Sequence, residues 1–426
     1  MACKVASVPQ LGVASITSLS SSVSLARIPG VMDGLPVVRS ASKRAVKRRG
    51  SVEIWSNFSL ARIPSPVGVW QLDSVIGRGQ FGVVYSAWNA GEQLTAAAKV
   101  VDVDEADSYG WSAARNEVCI LQRYRHENLV KMYGAYREET ESSRSFSTKC
   151  KLWVVMEICD GGSVKHLAHS AVSNDSPLEE EIIRYILHET LQGLQYLHQN
   201  NVIHRDVKGS NILLTRKGDV KLVDFGVAAK FLETDGYRRR NSIVGTPHYM
   251  APEVVFCEYQ HDLDYDSRCD TWSLGVTAIQ MAEGNPPMFD LSNDEIKRRI
   301  PRQKSPHLSD EDLWSTEFQD FISSCLVKDM EKRPHCRDQL DHPFIQQMDE
   351  NTDNVKESLS RLIEKYSSNE ASQSSFTSSS TRIKTGSENR KLMARIGSPP
   401  LEVVQEETSP ISSPNLKRDA RDAMLF

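Results

Sequence analysis

Two periods of apolar spacing run through the middle of this chain, and neither reaches its ends. From Trp70 to Val155 the apolar residues fall in short β-favouring runs, among them Ala96-Ala97-Ala98-Lys99-Val100 and Leu152-Trp153-Val154-Val155-Met156. One helix interrupts them: Trp111 to Tyr124 sets Val118, Leu121 and Tyr124 on a single stripe. Beyond Val155 the pattern is mostly helical. Ser176-Pro177-Leu178-Glu179 predicts a helix start, with serine as cap, proline in the first position and glutamate reaching back. Ile183, Ile186, Leu187, Leu191, Leu194 and Leu197 continue it as a long apolar stripe. The stretch Asp270-Thr271-Trp272-Ser273-Leu274-Gly275 opens a helix that is apolar on more than one face and therefore buried. Strands followed by helices predict an α+β body of two lobes, a β-rich one and a helical one, over residues 66–350.

The flanks read differently. Residues 1–65 are rich in Ser, Val and Ala with few acids, a composition that builds no core of its own. Their basic run, Lys43 to Arg49, reads as a solvated tail, and the segment lacks the regular arginine spacing of an organelle presequence. Residues 351–426 are polar and Ser-rich, except that Val355, Leu359, Leu362, Ile363 and Tyr366 form an amphipathic helical stripe expected to pack on the body.

Composition narrows the function. Lys+Arg number 51 against 56 Asp+Glu, a net charge of -5 over 426 residues, so nothing global points to nucleic acid. The eight cysteines form no CxxC pair and read as reduced thiols. No apolar run approaches a membrane span, and the expectation is a cytoplasmic chain.

The chemistry lies in three motifs in order. His204-Arg205-Asp206-Val207-Lys208-Gly209-Ser210-Asn211 is followed by Asp224-Phe225-Gly226 and then by Ala251-Pro252-Glu253. A carboxylate, a lysine, an amide and a second carboxylate at these intervals suit transfer of a phosphoryl group from magnesium-bound ATP to a hydroxyl. Asp206 can accept the hydroxyl proton, while Asn211 and Asp224 can hold the metal. Upstream, Ile76-Gly77-Arg78-Gly79-Gln80-Phe81-Gly82-Val83-Val84 is a glycine turn whose backbone can approach phosphates closely. Dinucleotide sites share the GxGxxG pattern. Here, however, Lys99 follows on the next apolar run, with no strand–helix–strand unit. Glu117, beside the Val118 stripe, fits as the ion-pair partner of Lys99; Glu105 lies before the apolar period begins.

Together these motifs resemble the eukaryotic protein kinases. The resemblance implies that Lys99 binds the α- and β-phosphates and that Lys208 steadies the phosphoryl group in flight. It places Met156 at the back of the adenine pocket, with the Glu157 carbonyl and the Cys159 amide on the adenine edge. It also implies that Asp270 braces the catalytic-loop backbone; an ordinary helix cap is the alternative role, and the two are compatible. Glu253 and Arg333 resemble the structural ion pair of the large lobe, and Thr246 the threonine that bonds the catalytic loop. Lys208 and Gly245-Thr246-Pro247 resemble Ser/Thr kinases, so protein substrates with Ser or Thr acceptors are implied; Val227 inclines the choice toward threonine. Ser242, after Arg238-Arg239-Arg240-Asn241, is a candidate for phosphorylation by an upstream kinase, its phosphate pairing with Arg205.

Within that superfamily, Lys208-Gly209-Ser210-Asn211 and Gly245 to Glu253 resemble the STE-group, germinal-centre-kinase branch. Thr271 and Leu313-Trp314-Ser315 resemble the kinase domain of class III myosins, which implies a cytoskeletal association. Those proteins carry a motor, whose GxxxxGK[ST] loop does not occur in these 426 residues. A truncated motor-less form and a freestanding relative both stay open, as does a pseudokinase scaffold. The residues do not indicate an oligomeric state.

Overall fold

The structure is a computed structural model that describes residues 63–79, 82–104, 108–139, 149–230, 232–234, 237–239, 244–257, 264–348 and 352–379. All fall within the compact unit Asn57–Phe426. The first lobe is an antiparallel sheet of β1 (Gln71–Gly79), β2 (Gly82–Asn89), β3 (Leu94–Asp104), β4 (Met132–Glu139) and β5 (Lys149–Met156), in the order β1-β2-β3-β5-β4. Helix α1 (Ser108–Arg123) leaves β3 and packs back on it and on β4.

Strand alternation decides which side chains reach the site. On β3, Ala96 and Ala98 turn into a core with Trp70, Ala87, Trp153 and Val155. Lys99 therefore points to the opposite face, with Val84 and Val154 as its register neighbours on β2 and β5. Gly82 is required where β2 begins, because a Cβ there would collide with the Val100 carbonyl.

The second lobe is helical. Helices α2 (Val164–Ser173) and α3 (Glu180–Gln199) lead to β6 (Val202–Ile203), to the hairpin β7 (Ile212–Leu214) and β8 (Val220–Leu222), and then to β9 (Ala229–Lys230). Ile183, Ile186, Leu187, Leu191, Leu194 and Leu197 are all fully buried on α3, as their spacing predicts. The start of α3 differs from the expectation. Ser176 to Leu178 lie outside the helix, Glu179 itself is the cap residue with extended backbone, and no side chain caps the helix. The cause is Leu178, only 2% exposed: its burial fixes this stretch against the body, and the helix begins after it. The carboxylate of Glu180, the first helical residue, accepts from the Ser315 hydroxyl at 2.6 Å.

After α4 (Pro252–Phe256) comes α5 (Arg268–Glu283), whose residues 268–282 are buried on every side. It is the central post of the lobe. A tail helix, Thr352–Ser379, lays Val355, Leu359, Ile363 and Tyr366 against the body, chiefly on α3, while Leu362 is only half-buried. No described helix is long and apolar enough to cross a membrane.

Candidate active site

Two short loops of the helical lobe carry most of the site's polar side chains. The first joins β6 to β7 and holds Asp206, Lys208 and Asn211; the second follows β8 and holds Asp224. Both contain a residue with left-handed backbone, Arg205 at φ 70° and Asp224 at φ 64°. Such geometry costs about 1–3 kcal/mol for a non-glycine residue and persists only where the surroundings impose it.

Asp270 is what imposes it on the first loop. From the start of α5 its carboxylate accepts the backbone N–H of His204 at 2.9 Å and of Arg205 at 2.8 Å, and the His198 ring nitrogen at 2.8 Å. It thus braces the loop, and Ser267 is the residue that precedes the helix. Burial alone would lower the His198 imidazole, but the Cys336 sulfur and the Asp270 carboxylate more than offset this and raise it to about 10. Gln280, also on α5, accepts from the Gly209 N–H at 3.2 Å and the Tyr249 hydroxyl at 2.8 Å.

Around Asp206 every carboxylate oxygen is engaged. Oδ2 accepts from the Lys208 ammonium at 2.7 Å and from Asn211 Nδ2 at 2.9 Å. Oδ1 accepts from the Thr246 N–H at 3.0 Å and its hydroxyl at 2.8 Å. Lys208 also donates to Thr246 Oγ1 at 2.6 Å, which closes a triangle. Thr246 reaches the loop because Gly245, at φ 113°, passes so close to Arg205 that a Cβ would lie 2.6 Å from its carbonyl. Asn211 Nδ2 donates further to the Asp206 carbonyl at 2.9 Å, so its amide oxygen is the atom it can offer a cation.

Opposite, Lys99 lies 2.7 Å from Glu117 on α1 and 3.3 Å from Asp224. Lys99 and Glu117 are 8% and 3% exposed, so this is an ion pair inside the protein. Burial would lower the Lys99 ammonium, but the two carboxylates outweigh it and hold it raised. Burial would raise the Asp224 carboxyl, yet Lys99 holds it below its ordinary value, so it stays ionised. Ile76, Gly77, Arg78 and Gly79 end β1, and Gly82, Val83 and Val84 begin β2, with Gly79 opposite Gly82. Val84 is the register neighbour of Lys99, which sets this hairpin beside the ion pair. Gln80, Phe81, Ser242 and the arginine Arg240 lie outside the described residues.

Met156 closes β5, and Glu157 to Gly162 lead on to α2. The Glu157 N–H donates to the Lys131 carbonyl at 2.8 Å, and its side chain accepts from the Lys131 N–H at 2.7 Å. The Cys159 thiol is pushed up to about 12 by burial and by Glu157, so it is no nucleophile near neutral pH. Deep in the lobe, Arg333 forks onto Glu253 at 2.6 and 3.0 Å and stacks 5.1 Å from the Trp272 ring.

Three residues at the site escape a reading of the motifs: Asn116, His198 and Gln280. The last two carry a signal in hindsight, since each is a polar side chain on the buried face of a helix. Asn116 carries none. Its partners are backbone carbonyls more than a hundred residues away.

Comparison with known proteins gives the same picture. Residues 70–345 match the family model described as "Protein kinase domain". The chain is 45% identical to myosin-IIIa of Homo sapiens over 300 residues, which cover 70% of this chain and 18% of that protein. It is 42% identical to misshapen-like kinase 1 of Rattus norvegicus over 287 residues, 67% of this chain and 21% of that one. Serine/threonine-protein kinase mig-15 of Caenorhabditis elegans is 40% identical over 291 residues, 68% of this chain and 26% of its own length. The matched stretch thus spans about a fifth of the relatives' length.

Proposed function

The chain belongs to the protein kinase family, and from that premise we propose that it transfers the γ-phosphoryl group of ATP to Ser and Thr hydroxyls of other proteins. One observation carries this reading: Asp206 is held by Lys208, Asn211 and Thr246, and the Asn211 carbonyl accepts at 3.0 Å from the N–H of Val223, the neighbour of the Asp224 that meets the Lys99–Glu117 pair. An acceptor hydroxyl entering the cleft displaces one donor from Asp206 and hands its proton to that carboxylate. Lys208, freed toward the reacting group, balances charge on the phosphoryl oxygens. Lys99, fixed by Glu117, orients the α- and β-phosphates, and the hairpin of residues 76–84 covers them with backbone N–H groups. Met156, the Glu157 carbonyl and the Cys159 amide take the adenine.

Asp224 and the amide oxygen of Asn211 are hard oxygen donors, the set that suits Mg2+. These two residues would hold such a cation; among the described residues no three His, Cys, Asp or Glu side chains cluster to hold one. When bound, the ion neutralises charge building on the phosphates.

Regulation is proposed at Ser242. A phosphate there pairs with Arg205, whose side chain already donates to the Val227 carbonyl at 2.6 Å and the Tyr265 hydroxyl at 3.3 Å. The likeness to myosin-IIIa adds the proposal of a cytoskeletal setting; no motor chemistry is assigned to these residues. The test is phosphotransfer by the purified chain with ATP and Mg2+ onto a peptide library, read by mass spectrometry. Activity on Ser and Thr that vanishes in Asp206→Asn and Lys99→Met supports the reading. Undiminished turnover in Asp206→Asn overturns it. Ser242→Ala with unchanged activity removes the regulatory part alone.

A further inference from the structure

We propose that Asn116 is a positioning residue that grips the Asp224-Phe225-Gly226 loop from the same helix that carries Glu117. Its Nδ2 donates to three backbone carbonyls in one turn of the loop: Phe225 at 2.9 Å, Gly226 at 3.3 Å and Ala228 at 2.6 Å. An amide –NH2 carries two hydrogens, so the two short bonds take one each and the longer contact shares. Only a donor fits a site made of three carbonyl oxygens. The loop also closes on itself, with the Ala228 N–H donating to the Phe225 carbonyl at 3.1 Å.

The position of Asn116 makes this more than a local turn. Asn116 and Glu117 are consecutive on α1, about 100° apart around the helix. One reaches the loop and the other reaches Lys99 at 2.7 Å. Lys99 in turn lies 3.3 Å from Asp224, whose left-handed backbone begins that same loop. Ala113, one turn earlier on the same helix, lies within van der Waals reach of a Cβ on Gly226. The circuit α1–Lys99–Asp224–loop–α1 is therefore closed by Asn116. A shift of α1 that withdraws Glu117 from Lys99 also removes the donor from the loop, so both halves of the site move together.

The effect on turnover rests on the proposed metal-holding role of Asp224, whereas the grip on the loop does not. Asn116→Asp tests both, because it keeps the shape and replaces the donor by acceptors facing carbonyls. Hydrogen exchange of the backbone amides of residues 225–230 is expected to speed up about tenfold or more, as for loss of two neutral hydrogen bonds. The half-saturating Mg2+ concentration for phosphotransfer should rise, and kcat should fall about tenfold or more, with KM for ATP within about threefold. Thermal stability of Asn116→Asp should fall as well, because its carboxylate is left facing carbonyl oxygens. Asn116→Ala, which removes the donor without adding charge, should show the same exchange change in milder form, and it decides the matter if Asn116→Asp does not fold. Wild-type exchange in that loop for both variants overturns the proposal. If the wild-type chain transfers no phosphate, the kinase reading fails, and the exchange result still judges Asn116.

Discussion

The Arg205 N–H donates to Asp270 Oδ1 at 2.8 Å, a bond across 65 residues that holds Arg205 in its left-handed conformation. The other oxygen of the same carboxylate takes the His204 N–H and the His198 ring, so one fully buried side chain sets the course of the loop that carries Asp206. Asp270→Asn keeps the shape but turns one acceptor into a donor that faces a donor. Breaking a buried charged network of this kind costs about 3–5 kcal/mol. Calorimetric unfolding should register that loss, and phosphotransfer should fall mainly in kcat. A variant with wild-type melting and wild-type kcat would remove Asp270 as the brace.

Thr246 offers a finer probe of the same loop. Its hydroxyl donates to Asp206 at 2.8 Å and accepts from Lys208 at 2.6 Å, linking the proposed base to the proposed charge-balancing lysine. Thr246→Val deletes both bonds at nearly constant volume. Hydrogen bonds to charged groups are worth about 1.5–3 kcal/mol, so kcat should drop about ten- to a hundredfold with KM for ATP nearly unchanged. Thr246→Ser should recover most of the loss. Steady-state kinetics that show equal activity in the valine and serine variants would contradict the arrangement.

How much of this was visible beforehand depends on where the partner of each residue lies. The stripe on α3 and the all-round burial of α5 were readable, because their periods are local and strong. Lys99 in isolation reads as a solvated strand lysine, and its position after the glycine turn is what sets it apart. What α5 does with Asp270 remained ambiguous between cap and brace until the fold placed it beneath His204 and Arg205. The start of α3 was misplaced for a physical reason: cap preference at Ser176 yields to the burial of Leu178, a tertiary contact absent from the local pattern. Asn116 was invisible, because carbonyl acceptors leave no trace in residue identity.

The tail helix bears on where the folded body ends. A boundary at residue 350 cuts it off, yet Leu359 is fully buried and Val355 and Ile363 are 2% exposed against the lobe. Ser360 Oγ donates to the Arg216 carbonyl at 2.6 Å, and Lys356 pairs with Asp219 at 2.5 Å. Both partners lie in the turn between β7 and β8. Leu359→Ala should therefore destabilise the body by about 2–5 kcal/mol, in a single transition. Chemical denaturation followed by fluorescence checks this. An unchanged midpoint would show the helix to be a separate appendage.

His198, raised against the effect of burial by the Cys336 sulfur and the Asp270 carboxylate, predicts a pH dependence with a definite sign. His198 is raised from its ordinary 6.5 to about 10 in the folded chain, so the folded state holds its proton more tightly than the unfolded state does. Stability from this group is complete below about pH 6.5 and is lost as pH climbs through 10, where the imidazole gives up its proton inside the core. The melting temperature of the wild-type chain should accordingly fall between these values. His198→Gln has no proton to lose there, so its melting temperature should start lower and decline less over the same interval. Scanning calorimetry of both proteins from pH 6 to 10 makes the comparison. Parallel curves would mean that His198 enters the fold neutral, and that Asp270 holds the loop without a cationic partner.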